Sequence, residues 1–286
     1  MAEYETYCAR ADEGRARALA SSTSPYTIEV EFLGGLNQAQ KAAFTTAADR
    51  WVKVIVGDLP DVNVNGRIID DLLIQAEGSA IDGPGVILGQ AGPGFLRPAG
   101  GPGEFLPATG IMSFDKDDLA SMQANGTLVD VITHEMGHVI GLITSPARKK
   151  GLVKGIGGDN PIFRGQQAQE EYRKLRDADE LKPVPVENEG EPGTRDAHWR
   201  EKVFANELMT GFVKQAPNPL SRLSVGALQD LGYVVDLEAA DDYSMPSLLA
   251  LAEEGELRTH IAPIDVGIVL PTIPTVLPSD SLVTAA

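Results

Sequence analysis

Apolar and polar residues alternate through Tyr26-Thr27-Ile28-Glu29-Val30-Glu31-Phe32, the two-residue period of a half-buried strand, which Gly34-Gly35 ends. The period then lengthens. Asn37 has the form of a helix cap, and Ala42, Ala43, Phe44, Ala47, Ala48, Trp51, Val52 and Ile55 follow at the spacing of one core-facing stripe, closed by Gly57-Asp58. Asp71 to Glu77 reads as a second strand. Gly85 to Ala91 and Thr109 to Asp115 read as two short ones within a Gly/Pro-rich passage, so at least one is expected at a sheet edge or as an irregular loop. A helix is then predicted over Val129 to Leu142, entered through a capping box of Thr127 and Asp130.

After Gly141 the regular pattern fades. Residues 143–198 read as loop with one charged helix near Gln166–Leu181 and a Pro/Glu-rich loop at Pro183–Gly193. Ser221 or Ser224 caps a short helix through Val225, Leu228 and Leu231 that Gly232 stops. A last helix is expected over Ser247–Glu254, and three prolines in the apolar stretch from Ile268 to Pro278 rule out a membrane helix there. That stretch is expected to pack along the surface of the body. The reading divides the chain into a polar lead-in (1–25), an N-terminal lobe (26–141), a C-terminal lobe (142–245) and a tail (246–286), of α+β class.

Composition narrows the choice of partner. Against 24 basic residues stand 41 acidic ones, a net charge of −17, which argues against nucleic acid or an anionic membrane. Cys8 is the single cysteine, so no disulfide forms within the chain and a metal site built on thiolates is not expected. The stretch Met1 to Glu5 is acidic and lacks the apolar run of a signal peptide.

The chemistry concentrates in His134-Glu135-Met136-Gly137-His138. Four residues turn a helix by roughly 400°, so both imidazoles project from one face and can reach one Zn²⁺ at about 2.0–2.1 Å. Glu135 lies roughly 100° round from His134, within reach of a zinc-activated water whose proton it can take. Two histidines and a glutamate inside so apolar a helix are costly without a metal. A catalytic zinc needs a third protein ligand. Thr144, ten residues after His134, cannot serve; Glu170 or Glu171, His198 and His260 are the candidates, of which the glutamates read as a solvated face with Arg173 and Lys174 as basic partners and His260 as a surface or packing histidine. Asp115, Asp117 and Asp118 read as helix-capping and solvated residues in preference to a Ca²⁺ site, since the glycine and distal glutamate of a calcium loop are missing.

The set His134-Glu-x-x-His138-x-x-Gly141, His198-Trp199 after a sixty-residue gap, and Glu207-Leu208-Met209-Thr210-Gly211 resembles the leishmanolysin family of zinc metallopeptidases, in particular its disulfide-free bacterial members. The resemblance extends roughly from Tyr26 to Tyr243. It implies His134, His138 and His198 as ligands of one catalytic Zn²⁺, Glu135 as general base, Gly141 as the bend that ends the helix and Met209 as the methionine of the turn beneath the site. The fold it implies is metzincin-like: a mixed twisted sheet with two long helices in the N-terminal lobe, a mostly irregular and helical C-terminal lobe, and the active-site cleft between them. Gly211 stands where some metzincins carry a further tyrosine ligand. The disulfides, surface anchor and pro-segment of leishmanolysin proper do not carry over, and Cys8 is read as having no latency role.

The expected activity is hydrolysis of a protein or peptide substrate by a zinc metalloendopeptidase. A zinc-binding adhesion or interaction module on the same fold is the alternative, and a hydrolase of small amides or esters a third reading. An extended substrate is expected to add to a sheet edge at Leu88, Gly89, Gln90 and Ala91. The resemblance implies a secreted or cell-surface setting.

Overall fold

The computed structural model describes residues 4–81, 83, 89–190, 193–211, 218–246, 268–269 and 273–283. Its frame is a six-stranded sheet formed by β1 (Glu5–Arg10), β2 (Thr27–Gly34), β3 (Leu72–Ser79), β4 (Gly89–Pro93), β5 (Thr109–Asp115) and β6 (Ile268–Val269), in the order β1-β2-β3-β5-β4-β6. The strands β2, β3 and β5 run parallel, with Val30 opposite Ile74 and Ala76 opposite Met112. The pairs β1–β2 and β4–β5 are antiparallel, which makes the sheet mixed and the chain α+β.

Helices pack against the strands of the sheet. Helix α1 (Glu13–Ala20) is short and buries only Ala16. Helix α2 (Gln38–Val54) starts at a reciprocal cap, in which Gln40 N donates to Asn37 Oδ1 and Asn37 N to Gln40 Oε1, both at 2.9 Å. Its Phe44 stands edge-on to Phe32 and Phe114, at centroid separations of 6.1 and 5.9 Å. Helix α3 (Lys116–Asn125) is capped by Asp115, whose carboxylate accepts from Asp117 N at 2.9 Å and Ile81 N at 2.7 Å. Helix α4 (Leu128–Ile140) is buried without a break from Val131 to Ile140, between α2 and the strands β4 and β5. Trp51 Nε1 donates to Thr133 O at 2.9 Å and ties α2 to α4.

In the C-terminal half, α5 (Gln166–Leu175) packs on α6 (Arg222–Leu231). The Asp230 carboxylate accepts from Gln167 N and Ala168 N, both at 2.9 Å, at the first turn of α5. One contiguous apolar core spans both halves, from Tyr26 and Phe44 through Val139 to Trp199, Phe204 and Leu228. Among the described residues no helix is long and apolar enough to cross a membrane.

Several expectations need correction. The lead-in is part of the sheet: residues 5–10 are strand β1, unnoticed because only Ala9 of the six is buried, as suits an edge strand. The Thr127–Asp130 capping box does not form. Thr127 Oγ1 donates to Asn125 Oδ1 at 2.7 Å, and the Asp130 carboxylate accepts from Asn218 Nδ2 at 2.7 Å. The charged helix stops at Leu175, where the chain turns left-handed at Asp177. The segment Gly89–Ala91 is not at a free edge, since Ile268 and Val269 pair in parallel with Gly89 and Gln90 on the side away from β5. Leu88 lies outside the described residues, as do Ser247–Glu254. Further along, Thr275 and Val276 pair with Phe95 and Leu96, and Leu277 joins a small second core with Val62, Ile69 and Leu73. The described pieces of the tail thus pair with strands of the body, and Leu277 packs into its small second core.

The exit from α4 is built on Gly141. Leu142 N donates to Gly137 O and Gly141 N to His138 O, at 3.0 and 3.1 Å, a closure that requires φ of +113° at Gly141. A Cβ at this position would also lie 2.9 Å from Pro146 Cγ. Gly126, which ends α3 at φ +82°, has open space around the same position. Gly126→Ala should therefore cost about 1 kcal/mol through backbone strain alone. Gly141→Ala should cost more, about 2–3 kcal/mol, because Pro146 must move as well. Urea denaturation of the two variants beside the parent protein checks the order.

Candidate metal centre

Helix α4 carries His134 and His138 one turn apart on its buried face, and the loop that follows Thr194 returns His198 to the same point. The return is held by the backbone. Glu187 N donates to His198 O at 2.8 Å, Asp196 N to Glu187 O at 2.9 Å, and Trp199 N to Met209 O at 2.9 Å. The three Nε2 atoms converge, His134 to His138 at 3.0 Å, His134 to His198 at 3.1 Å and His138 to His198 at 2.9 Å.

Each ring is aimed by a backbone carbonyl on its far side. His134 Nδ1 lies 2.6 Å from Leu208 O, His138 Nδ1 3.3 Å from Leu142 O, and His198 Nδ1 2.8 Å from Thr194 O. A carbonyl only accepts, so each Nδ1 carries a proton and donates it. Burial, reinforced by the neighbouring imidazoles, pushes His134 down to about 3 and His138 well below its ordinary value. Burial likewise pushes His198 down to about 4. All three rings are thus neutral, and three Nε2 lone pairs face one another with no proton between them. Such an arrangement is repulsive unless a cation takes the lone pairs. Tetrahedral ligation at 2.0–2.1 Å places donor nitrogens about 3.3–3.4 Å apart, a few tenths of an ångström beyond the separations here. Nitrogen donors of this kind suit zinc.

Glu135 completes the argument for a cation. It is 1% exposed, its Oε1 lies 3.7 Å from His134 Nε2, and its Oε2 has no hydrogen-bond partner among the described residues. Burial raises its pKa well above the ordinary carboxyl range, a push that a nearby divalent cation reverses. Met209 is fully buried behind α4, where a Cβ at Gly137 would stand 2.8 Å from its Sδ and 3.0 Å from Trp51 Cζ2. Glycine at 137 lets the methionine and the tryptophan close on the helix between the two histidines.

The other candidates stand elsewhere. Glu171 is 5% exposed and not on a solvated face, its carboxylate paired with Lys174 at 2.7 Å and Arg222 at 3.2 Å; Glu170 pairs with Arg173 at 3.1 Å. His260 lies outside the described residues. Cys8 is exposed in β1, at the opposite edge of the sheet from β4. A second group of acids, Asp58, Asp70 and Asp71, comes together near the start of β3, where the Asp71 carboxylate already accepts from Thr27 N and Leu59 N, both at 2.7 Å.

Sequence reasoning missed the residues behind the centre. The buried carboxylate of Glu207 accepts from Met209 N at 2.6 Å, Ser221 N at 3.1 Å, Ser221 Oγ at 2.7 Å and Ser224 Oγ at 2.6 Å, and Ser224 Oγ accepts from Trp199 Nε1 at 2.8 Å. The one available signal is an acid set directly before Leu208-Met209, where burial is expected. The carbonyls of Leu142, Thr194 and Leu208 have no sequence signature at all.

Comparison with known proteins agrees with this geometry. A leishmanolysin family model matches residues 104–250, about half of the chain, including α4, His198 and Met209. A leishmanolysin-like peptidase of Caenorhabditis elegans is 38% identical over 77 residues, 27% of this chain and 12% of that protein. A leishmanolysin homolog of Crithidia fasciculata is 28% identical over 112 residues, 37% of this chain and 17% of that protein. A leishmanolysin-like peptidase of Drosophila pseudoobscura pseudoobscura is 35% identical over 63 residues, 22% of this chain and 9% of that protein. The chain thus spans less than a fifth of the length of each of these relatives. With a family model matched over half its length and the three histidines gathered inside that match, this chain belongs to the leishmanolysin family.

Proposed function

We propose that the protein is a zinc-dependent metalloendopeptidase on a metzincin-like fold, with the cleft between the α4 side and the His198–Met209 side. The observation that carries this reading is the convergence of three Nε2 atoms at 2.9–3.1 Å with every Nδ1 committed to a carbonyl. His134, His138 and His198 would hold the zinc. When bound, zinc supplies Lewis acidity, lowering the pKa of a water to about 7 and polarising the carbonyl under attack.

The chain's own residues do the rest. Glu135, dry and with Oε2 unpartnered among the described residues, accepts the proton of the attacking water and returns it to the amine nitrogen as the C–N bond breaks. The carbonyls of Leu208, Leu142 and Thr194 keep the imidazoles in one tautomer and one orientation. The Met209 side chain forms an apolar floor beneath the histidines and would not bind the zinc. The substrate is a protein or peptide chain; at Gly89 and Gln90 the expected docking edge is already paired with Ile268 and Val269. The alternative, a zinc-binding interaction module without turnover, leaves Glu135 without a purpose, since a structural site needs no base.

Glu135→Gln should keep one equivalent of zinc and lower kcat by about 10²–10⁴-fold on a casein or peptide substrate. Near-parental turnover in that variant would remove Glu135 from the mechanism, and a parent protein that binds zinc yet cleaves no peptide would favour the interaction module. His198→Ala should weaken zinc binding beyond the roughly 10–100-fold that loss of an outer partner costs. Glu171→Ala should lower the melting temperature and leave zinc affinity unchanged. Zinc retained in His198→Ala but lost in Glu171→Ala, measured by metal analysis after dialysis, would reverse the ligand assignment. Removal of the metal with a chelator should abolish proteolysis, and one equivalent of zinc should restore it.

A further inference from the structure

The peptide group joining Leu208 to Met209 is held at both ends. Its carbonyl oxygen accepts from His134 Nδ1 at 2.6 Å, and its N–H donates to Glu207 Oε2 at 2.6 Å. In a trans peptide these two groups point in opposite directions from one plane, so fixing the N–H fixes the direction of the carbonyl. An ionised acceptor on the N–H also makes that carbonyl a stronger acceptor, because hydrogen bonds in series polarise one another. The other oxygen of the same carboxylate takes both serine hydroxyls. Through Ser224 it reaches the indole of Trp199, the residue next to His198. Among the described residues every hydrogen bond to Glu207 comes from an N–H or O–H donor, which is the environment of a carboxylate that only accepts.

We infer that Glu207 is a positioning residue of the metal centre, aiming and polarising His134 through the Leu208–Met209 peptide. This rests on His134, His138 and His198 being the zinc ligands. A glutamine at 207 has one acceptor oxygen and cannot serve the serines and Met209 N–H together. Whichever way it turns, one side meets an amide NH₂ where an acceptor stood. If the oxygen stays with the serines, the peptide is released and Leu208 O is free to rotate from His134.

The test compares Glu207→Gln with the double variant Ser221→Ala/Ser224→Ala, which loses the hydroxyls but keeps the bond from Met209 N to Glu207. Zinc affinity is read by competition with a chromophoric chelator, and the imidazole tautomers by ¹⁵N NMR of the metal-free proteins. Glu207→Gln should raise the zinc Kd by about 10–100-fold. It should also increase solvent exchange of the His134 Nδ1 proton, with His138 unaffected. The double serine variant should melt earlier, yet bind zinc within a few-fold of the parent. Equal zinc affinity in Glu207→Gln and parent would overturn the inference. So would an equal loss in both variants, since that is what general loosening of the fold produces. If Glu207→Gln does not fold, the parent decides alone: His134 in the Nε2–H tautomer contradicts the relay, and a protected Nδ1–H supports it. A parent that binds no zinc at all fails the metalloendopeptidase reading; a parent that binds zinc with the same affinity as Glu207→Gln fails only this one.

Discussion

Three neutral imidazoles with their lone pairs turned towards one dry point are the constraint around which this molecule is arranged. Each ring is turned by a carbonyl, and each carbonyl belongs to a different feature: Leu142 to the helix exit, Thr194 to the loop before His198, and Leu208 to the turn before Met209. A carbonyl cannot be placed without placing its whole peptide. The left-handed Gly141, the Glu187–His198 backbone bond and the Glu207 carboxylate are therefore all conditions of the same convergence. The apolar core that runs unbroken from the sheet to α6 keeps these pieces in one frame.

The sequence revealed this centre unevenly, for a physical reason. His134, Glu135 and His138 are separated by one helical turn, so helix geometry alone puts them together. The strand and helix periods of β2 and α2 were equally readable, because each buries a face whose residues are local in sequence. His198 is sixty residues beyond His138, and nothing local says that its segment returns. The residues themselves made Glu170 and Glu171 a solvated face and His260 a surface or packing histidine, but it was the likeness to a known family that placed His198 at the metal. Glu171 shows why composition misleads here. In a run of charged residues it looks solvated, yet it is buried because Arg222 on α6 meets it across the helix pair.

Other features were illegible because their stabilising contacts lie outside the segment. Strand β1 buries almost nothing and exists by the hydrogen bonds it makes to β2. Thr127 and Asp130 have the right spacing for a cap, but Asn125 and Asn218 offer their side chains closer partners. Local propensity chose between conformations correctly where no distant group competed, and failed where one did.

The parallel addition of Ile268–Val269 to β4, with Thr275–Val276 alongside Phe95–Leu96, also bears on how the chain is made. On the ribosome, β2, β3 and β5 emerge in sequence and can pair as they appear, and β4 finds β5 soon afterwards. The far side of β4 must wait for residues that are synthesised much later. Until then Gly89 and Gln90 present unsatisfied peptide groups, the kind of edge on which nascent chains pair with one another. The order of synthesis thus leaves this border of the sheet as the last to be sealed, and the most exposed to mispairing while the protein is being born.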